Sequence, residues 1–394
     1  MIGTSLALAL APLELNIAVI ESVQRKRNQH PSFDDRSTAL SRSTQRMFTA
    51  MHLWDDIVAA STPIHNIHVS DKGRFGFSHI DAKEEGVEAL GYVVINRVLG
   101  DILESSLLST KNVDIFCPAR IENIDFADNR VIAEVISGDD KLSLSSKLIV
   151  AADGANSSIR EMIGIEVQKY DYAQRAIVGN LITEKPLFNR AFERFTSQGP
   201  LAILPITGDR AGFIWTVSEN DADRVLSLDD NSFLNELQEE FGFRLGIFSH
   251  LGARSDYPLI LSKANRLIAS RSVLIGNSAH GLHPVSGQGF NLGMRDVAAL
   301  CECIADNPSG FCDPGNKEIL DHYAGWRRLD QKKLVYFTDN LVRLFGTLRP
   351  EFRILRNIGM IGFDLIPGVR PMFAKHTMGL AGKLPRLSRG IPLR

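Results

Sequence analysis

The sequence predicts an α/β fold, in which a nucleotide-binding layer is interleaved with a β-rich domain and followed by a helical C-terminal segment. Three stretches carry that expectation. Residues 3–11 read as helix, residues 16–20 (NIAVI) as buried strand, and Glu21 as the acid that closes the strand. Helix, strand and acid in this order form the second half of a dinucleotide-binding βαβ unit, a Rossmann-like device. Residues 276–296 (GNSAHGLHPVSGQGFNLGMRD) follow a buried strand and read as a glycine-rich loop with a helix entered near Phe290. Between these, residues 174–262 hold the short apolar runs AIVGNLIT, PLAILPI, GFIWTV and SDYPLIL, which suit the strands of one sheet.

Composition bounds the rest. With 394 residues, 44% hydrophobic and 23% charged, the chain is globular and long enough for two lobes. A formal net charge of −2 argues against a dedicated nucleic-acid binder. Four cysteines (Cys117, Cys301, Cys303, Cys312) are too few for a disulfide scaffold and fit a reducing compartment. Cys301 and Cys303 point apart on a helix, so packing is expected there and no metal site. The first twenty residues lack a basic flank and carry Glu14, unlike a signal peptide. No run of about 18 uncharged apolar residues occurs, so no membrane-spanning helix is expected.

The elements follow in order. Glu21 is placed to accept from ribose hydroxyls, and Gly3 stands where a fingerprint glycine allows close helix–strand packing. The strand and the two glycines that normally precede such a helix are absent; a start placed roughly ten residues too late is the simplest expectation. Residues 22–46 are polar and loop-rich, and residues 90–109 read as strand then helix. Residues 113–149 alternate in short runs, a β-meander returning to the nucleotide sheet. Residues 147–151 (KLIVA) form a strand closed by a sharp turn at Asp153-Gly154, with Ser157 or Ser158 available to cap the next helix. In the 276–296 loop, Gly281, Gly287 and Gly289 let backbone N–H groups approach a bound group, and the helix start adds unpaired donors and partial positive charge. Such a device holds an anion, or a ring that becomes anionic when reduced.

Together, GNSAHGLHPVSGQGFNLGMRD, the phrase ADGANSSIR (residues 152–160) and the N-terminal helix–strand–acid resemble the FAD-dependent aromatic hydroxylases, and within them the ubiquinone-biosynthesis branch. Most aromatic hydroxylases read Gly-Asp where this chain has Gly276-Asn277. Asn still hydrogen-bonds a ribityl chain but carries no charge, and this wording resembles the branch acting on 2-octaprenyl-6-methoxyphenol. The resemblance extends over nearly the whole chain, through ERFTSQGPLAILP to RNIGMIGFDLIPG. It implies an aromatic hydroxylase-like fold: FAD-binding parts at 1–173 and 263–330, a β-rich substrate domain at 174–262, and a basic helical segment at 331–394. It implies FAD as cofactor, NAD(P)H as a transient electron donor, and O2 as the source of an oxygen inserted into a polyprenylated phenol.

The resemblance also implies site residues. Gly3, Glu21, Arg36, Arg97, Asp153, Gly154, Gly276, Asn277, Pro284, Gly287, Gln288, Gly289, Phe290 and Asn291 are expected at the cofactor. A solvated loop charge is the alternative for Arg36. Leu201, Ile203 and Pro205 are expected on the substrate side, with plain core packing as the alternative, and His283 near the substrate or merely supporting its loop. No side chain is assigned a catalytic role, because the chemistry belongs to the cofactor. The last 64 residues carry twelve Lys/Arg against three acids, whereas the preceding 330 carry 32 against 43. A basic amphipathic surface suits an anionic membrane face or other proteins of the pathway. The expected location is cytoplasmic, with peripheral attachment at the inner face of the membrane. A sister ring hydroxylase of the ubiquinone pathway, a hydroxylase of soluble phenols, or a non-catalytic, flavin-poor member of a biosynthetic assembly is the alternative.

Overall fold

The computed structural model describes residues 1–23, 36–73, 77–281, 288–346 and 369–394. Its N-terminal helix, α1 (Ile2–Leu10), leads into β1 (Ile17–Ile20), which pairs in parallel with β7 (Val113–Phe116). A second parallel pair joins β11 (Ile149–Ala151) to β19 (Ser272–Leu274), with the short β18 (Ile268–Ala269) on its edge. Residues of both β1 and β11 face one large cavity, which therefore passes between the two parallel pairs. Parallel strands buried on both faces read as continuous apolar runs; β11 is mostly buried, whereas β1, expected to be buried, is only half-buried with Ala18 exposed, because its side chains open on the cavity.

Helices cover this layer. α4 (Asn96–Leu108) follows β6 (Gly91–Ile95), which lies between β2 (Ser37–Ser41) and β3 (Ser61–Ile64). α2 (Arg42–Ala50) is capped by Ser41, whose hydroxyl accepts from the Thr44 N–H at 3.3 Å, and α3 (Trp54–Ala59) follows it. α8 (Gln288–Asp306) runs through the core with Leu292, Met294, Val297, Ala298, Leu300 and Cys301 fully buried. It lies against α1 so closely that a Cβ on Gly293 would come within 2.8 Å of Ile2 Cδ1. α9 (Lys317–Gly346) and α10 (Val369–Thr377) complete the C-terminal part. The meander appears as an antiparallel sheet of β8 (Arg120–Ala127), β9 (Arg130–Ser137) and β10 (Asp140–Ser146).

The β-rich domain is a nine-stranded sheet. Its main path runs β20 (His280–Gly281), β17 (Ser255–Ala264), β12 (Val167–Thr183), β15 (Arg210–Ser218), β14 (Pro200–Pro205), β13 (Arg190–Phe195), β4 (Asn66–Asp71), β5 (Phe77–Asp81), and β16 (Phe248–Ser249) pairs with β12. It thus recruits β4 and β5 from residues well before 174, through a parallel β13–β4 ladder that sequence periodicity does not reveal. α6 (Glu219–Ser227) and α7 (Asp230–Phe241), each capped by a Ser or Asp side chain, pack under one face. The short α5 (Ser158–Met162) follows β11, capped by Ser157. One face of the sheet packs on α6 and α7, and the other opens on the cavity.

Candidate functional site

The cavity measures about 2710 Å³, well beyond the roughly 300–1,000 Å³ of a site for one small ligand. It runs from α1, β1 and β11, past the first turn of α8, to the inner face of the nine-stranded sheet. Gln288, Gly289, Phe290 and Asn291 all line it. Gly289 offers a cradle that a side chain would fill: among the described residues a Cβ built on it would meet open space, so its backbone faces the cavity bare. With the N–H groups of the first helical turn unpaired within the helix, this end suits the electron-rich ring of a flavin.

Two loops shape this end. Ser278 donates to the Ala151 carbonyl at 2.6 Å, and the Arg160 guanidinium, 2% exposed, donates to the carbonyls of Ala155 and Ser278 at 3.1 Å each. The second and third sequence motifs are thereby one structural unit. Asp153 lines the cavity but spends its carboxylate on α5, accepting from Ser157 and from the Ile159 N–H at 3.2 Å. Gly154 also lines the cavity, at φ +88°, where glycine is the easiest residue.

Behind the loop lies a buried charge network. Asp296, fully buried, accepts from His280 Nε2 and Arg327 Nε, each at 2.6 Å, and from the Gly276 N–H at 2.9 Å. A carboxylate only accepts, so His280 carries its proton on Nε2. Burial by itself raises the Asp296 carboxyl, but His280, Arg327 and the Gly276 N–H outweigh it and hold it down to about 2. Asp330 joins by pairing with Arg327 and with Arg295, the latter at 2.6 Å. This network was not foreseen from the sequence; its signal there was the charged pair Arg295-Asp296 in the midst of the largely apolar α8.

The structure sorts the remaining expected residues. Gly3 and Glu21 line the cavity; a Cβ on Gly3 would sit 3.3 Å from Ala152 Cβ, the close helix–strand approach expected of it. Arg36 lines the cavity as well. Gly276 sits behind the loop at φ +60° while Asn277 faces the cavity. The Asn291 side chain is committed to the fold: its Oδ1 accepts from the Ser41 N–H and the Thr44 hydroxyl, and its Nδ2 donates to the Ala39 carbonyl, all at 2.8 Å. Arg97 departs from expectation. It lies on the outside of α4, 46% exposed and 3.8 Å from Asp101, while its neighbour Asn96 lines the cavity. Residues one apart on a helix point in different directions, and the turn sets which one faces inward. His283, Pro284 and Gly287 lie outside the described residues.

A second correction is one of strand register. Leu201 and Ile203 are fully buried in the core over α6 and α7, and Ala202 and Leu204 face the cavity instead. Pro205 also stays out of the cavity wall. Side chains alternate across a sheet, so an apolar run buried on both sides does not tell which set faces the ligand. The same face carries a residue that the sequence reading passed over. Glu193, between Ala191 and Phe195 on β13, opens into the cavity, and burial pushes its carboxyl up to about 7. An acid on the strand face otherwise made by Ala191 and Phe195 in RAFERF was the available signal.

The C-terminal stretch contributes directly. Met372, Phe373, His376 and Thr377 of α10 line the cavity. Among its basic residues, Arg386 pairs with Asp306, Arg394 stacks on Phe311 at 4.8 Å, and Lys383 sits over Trp326 at 4.5 Å. Among the described residues no helix is long and apolar enough to cross a membrane.

Known proteins share this arrangement. The profile of the FAD binding domain family matches residues 1–338. A ubiquinone hydroxylase (UbiL) of Rhodospirillum rubrum is 34% identical over 396 residues, covering 100% of this chain and 91% of that protein. A 3-demethoxyubiquinol 3-hydroxylase of Escherichia coli K12 is 28% identical, covering 96% of each. The crystal structure of p-nitrophenol 4-monooxygenase PnpA from Pseudomonas putida superposes with a TM-score of 0.79 at 19% identity, covering 97% of this chain and 96% of that one. With the glycine-lined helix start and the cavity in place, the chain belongs to the FAD binding domain family, has the aromatic hydroxylase-like fold, and is an FAD-dependent monooxygenase.

Proposed function

We propose that this monooxygenase hydroxylates the ring of a polyprenyl phenol in ubiquinone biosynthesis, a 2-octaprenyl-6-methoxyphenol-type compound, with NAD(P)H and O2 as co-substrates. The observation that carries the reading is the single cavity joining the α8 start to an apolar sheet face. The full-length similarity to ubiquinone hydroxylases supports it. Gly3, Glu21, Arg36, Asp153, Gly154 and Asn277 would hold the cofactor along the α1–β1–β11 side, and the first turn of α8 would hold its ring. When bound and reduced by NAD(P)H, FAD supplies the activation of O2. The N–H groups at the start of α8 favour negative charge on that ring. Ala191, Ala202, Leu204 and Ile67 present an apolar wall that excludes water and orients a greasy ring. Peripheral contact with an anionic membrane belongs to the same proposal, supported by the basic excess of the last 64 residues and by a substrate that dissolves in lipid.

The test is flavin content together with substrate-dependent oxidation of NADH or NADPH. Prenylated 6-methoxyphenols should stimulate that oxidation and gain one oxygen from labelled O2. Fast turnover of a water-soluble phenol, with no product from prenylated ones, would transfer the enzyme to the soluble-phenol hydroxylases. Protein without flavin would support the non-catalytic alternative.

A further inference from the structure

Glu193 lines the cavity from the face of the nine-stranded sheet. The ladders set it beside Val69 of β4 and Ala202 of β14, on the face that also carries Ala191, Leu204 and Ile67. Among the described residues neither a hydrogen-bond donor nor a cation meets its carboxyl, and burial is the whole cause of its raised pKa. An acid set in an apolar wall is costly unless something meets it, and Glu193, half-buried on its strand, reaches into the cavity. The open side of Glu193 is the space where a substrate ring would lie.

We propose that Glu193 receives the phenolic hydroxyl of the substrate: its carboxylate accepts the O–H hydrogen bond and takes the proton as the ring is oxygenated. The phenolic O–H bond breaks, the carboxyl O–H bond forms, and the electron pair left on oxygen feeds the ring. When the ring regains aromaticity the C–H bond of the oxygenated carbon breaks and its proton leaves with the second oxygen of O2 as water, while Glu193 returns its own proton to the phenolic oxygen. The inference rests on the phenol hydroxylase reading given above. A carboxyl titrating near 7 is matched to such a task at neutral pH.

Other titratable groups surround the strand. Arg190 and Arg194 of β13 act on His68 of β4, which lies toward α7 and is held neutral, its pKa lowered to about 3 by burial, then by Arg244, His79 and these arginines. Asp71 ends β4, and β5 carries His79 and Asp81, the last with a lowered pKa. Tyr257 of β17 lines the cavity and is pushed up to about 12 by burial, against the opposing charge of Arg36. His376 of α10 lines the cavity too.

The experiment uses the full-length FAD-loaded protein with two probes, 2-prenyl-6-methoxyphenol and its O-methyl ether. Binding to the oxidised protein is followed through the flavin absorbance from about pH 5.5 to about pH 8.5, and phenol hydroxylation over the same range. Phenol affinity and hydroxylation should rise roughly tenfold through about pH 7, while the ether binds without pH dependence. Glu193→Gln should keep its flavin and lose the limb, and Glu193→Asp should keep one. His376→Gln should leave the limb in place. A limb that persists in Glu193→Gln, disappears in His376→Gln, or appears equally with the ether overturns the proposal. If Glu193→Gln does not fold, the phenol–ether comparison in the unaltered protein and the Asp variant still decide. Phenol binding without a limb refutes the role of Glu193 alone; absence of phenol binding at any pH refutes the substrate reading and the role with it.

Discussion

Replacing Asp296 with Asn tests whether the buried charge network holds the flavin loop. In the native protein the carboxylate meets three donors, His280 Nε2, Arg327 Nε and the Gly276 N–H, within 2.9 Å. A carboxyl lowered from 3.8 to about 2 corresponds to roughly 2 kcal/mol of native-state preference for the anion. Its folded pKa is depressed, so this contribution is complete above the unfolded value of 3.8 and fades as pH falls through about 2. The amide removes that preference and turns an N–H₂ toward His280 or Gly276, both donors. It also leaves the buried Arg327 with Asp330 as its remaining anionic partner. Breaking a buried pair this way costs about 3–5 kcal/mol. Urea denaturation at pH 7, followed by far-ultraviolet circular dichroism, should show a loss of that size, with the gap to the unaltered protein narrowing only below about pH 4. Flavin content should fall as well, because the turn from Gly276 into Asn277 loses its anchor. A loss below about 1 kcal/mol with full flavin retention would refute the reasoning.

Other substitutions separate cofactor, substrate and surface roles. Gly289→Val should leave the urea midpoint nearly unchanged, since its Cβ meets no protein atom within 4 Å, while flavin content after gel filtration drops at least roughly tenfold. Leu201→Ala should cost about 2–5 kcal/mol of stability with KM for the phenol nearly unaltered. Ala202→Leu should do the reverse, raising KM with a stability change below about 1 kcal/mol; exchanged phenotypes would refute the register assigned to β14. Arg97→Ala, at an exposed i,i+4 pair 3.8 Å long, should change stability by less than about 0.5 kcal/mol and leave flavin content intact. For Glu193, the readout is loss of the limb near pH 7 in phenol binding.

Local chemistry was legible from the chain alone. Strand, sharp turn and capped helix at 147–162, helix and strand at the N-terminus, and the helix from Gln288 depend on neighbours a few residues apart, and each forms close to where the sequence places it. The same residues bring the cofactor family into view, since glycines and a helix start are what a dinucleotide requires of a backbone. Facing was another matter. PLAILP spells a strand but not its side: Ala202 and Leu204 face the cavity because α6 and α7 cover Leu201 and Ile203. Asn96 rather than Arg97 faces inward because α4 docks in one rotation. Asn291 serves as a clamp because Ser41 and Thr44, some 250 residues earlier, arrive beside it. The Asp296–Arg327 pair and the placing of Glu193 on the cavity face likewise arise from elements distant in sequence. The sequence by itself determined the elements, the cofactor class and the enzyme type. Which side chains meet the cavity, which meet each other, and which carboxyl opens on the apolar wall were decided by tertiary packing, because burial and pairing belong to surfaces that exist only once the layers have closed.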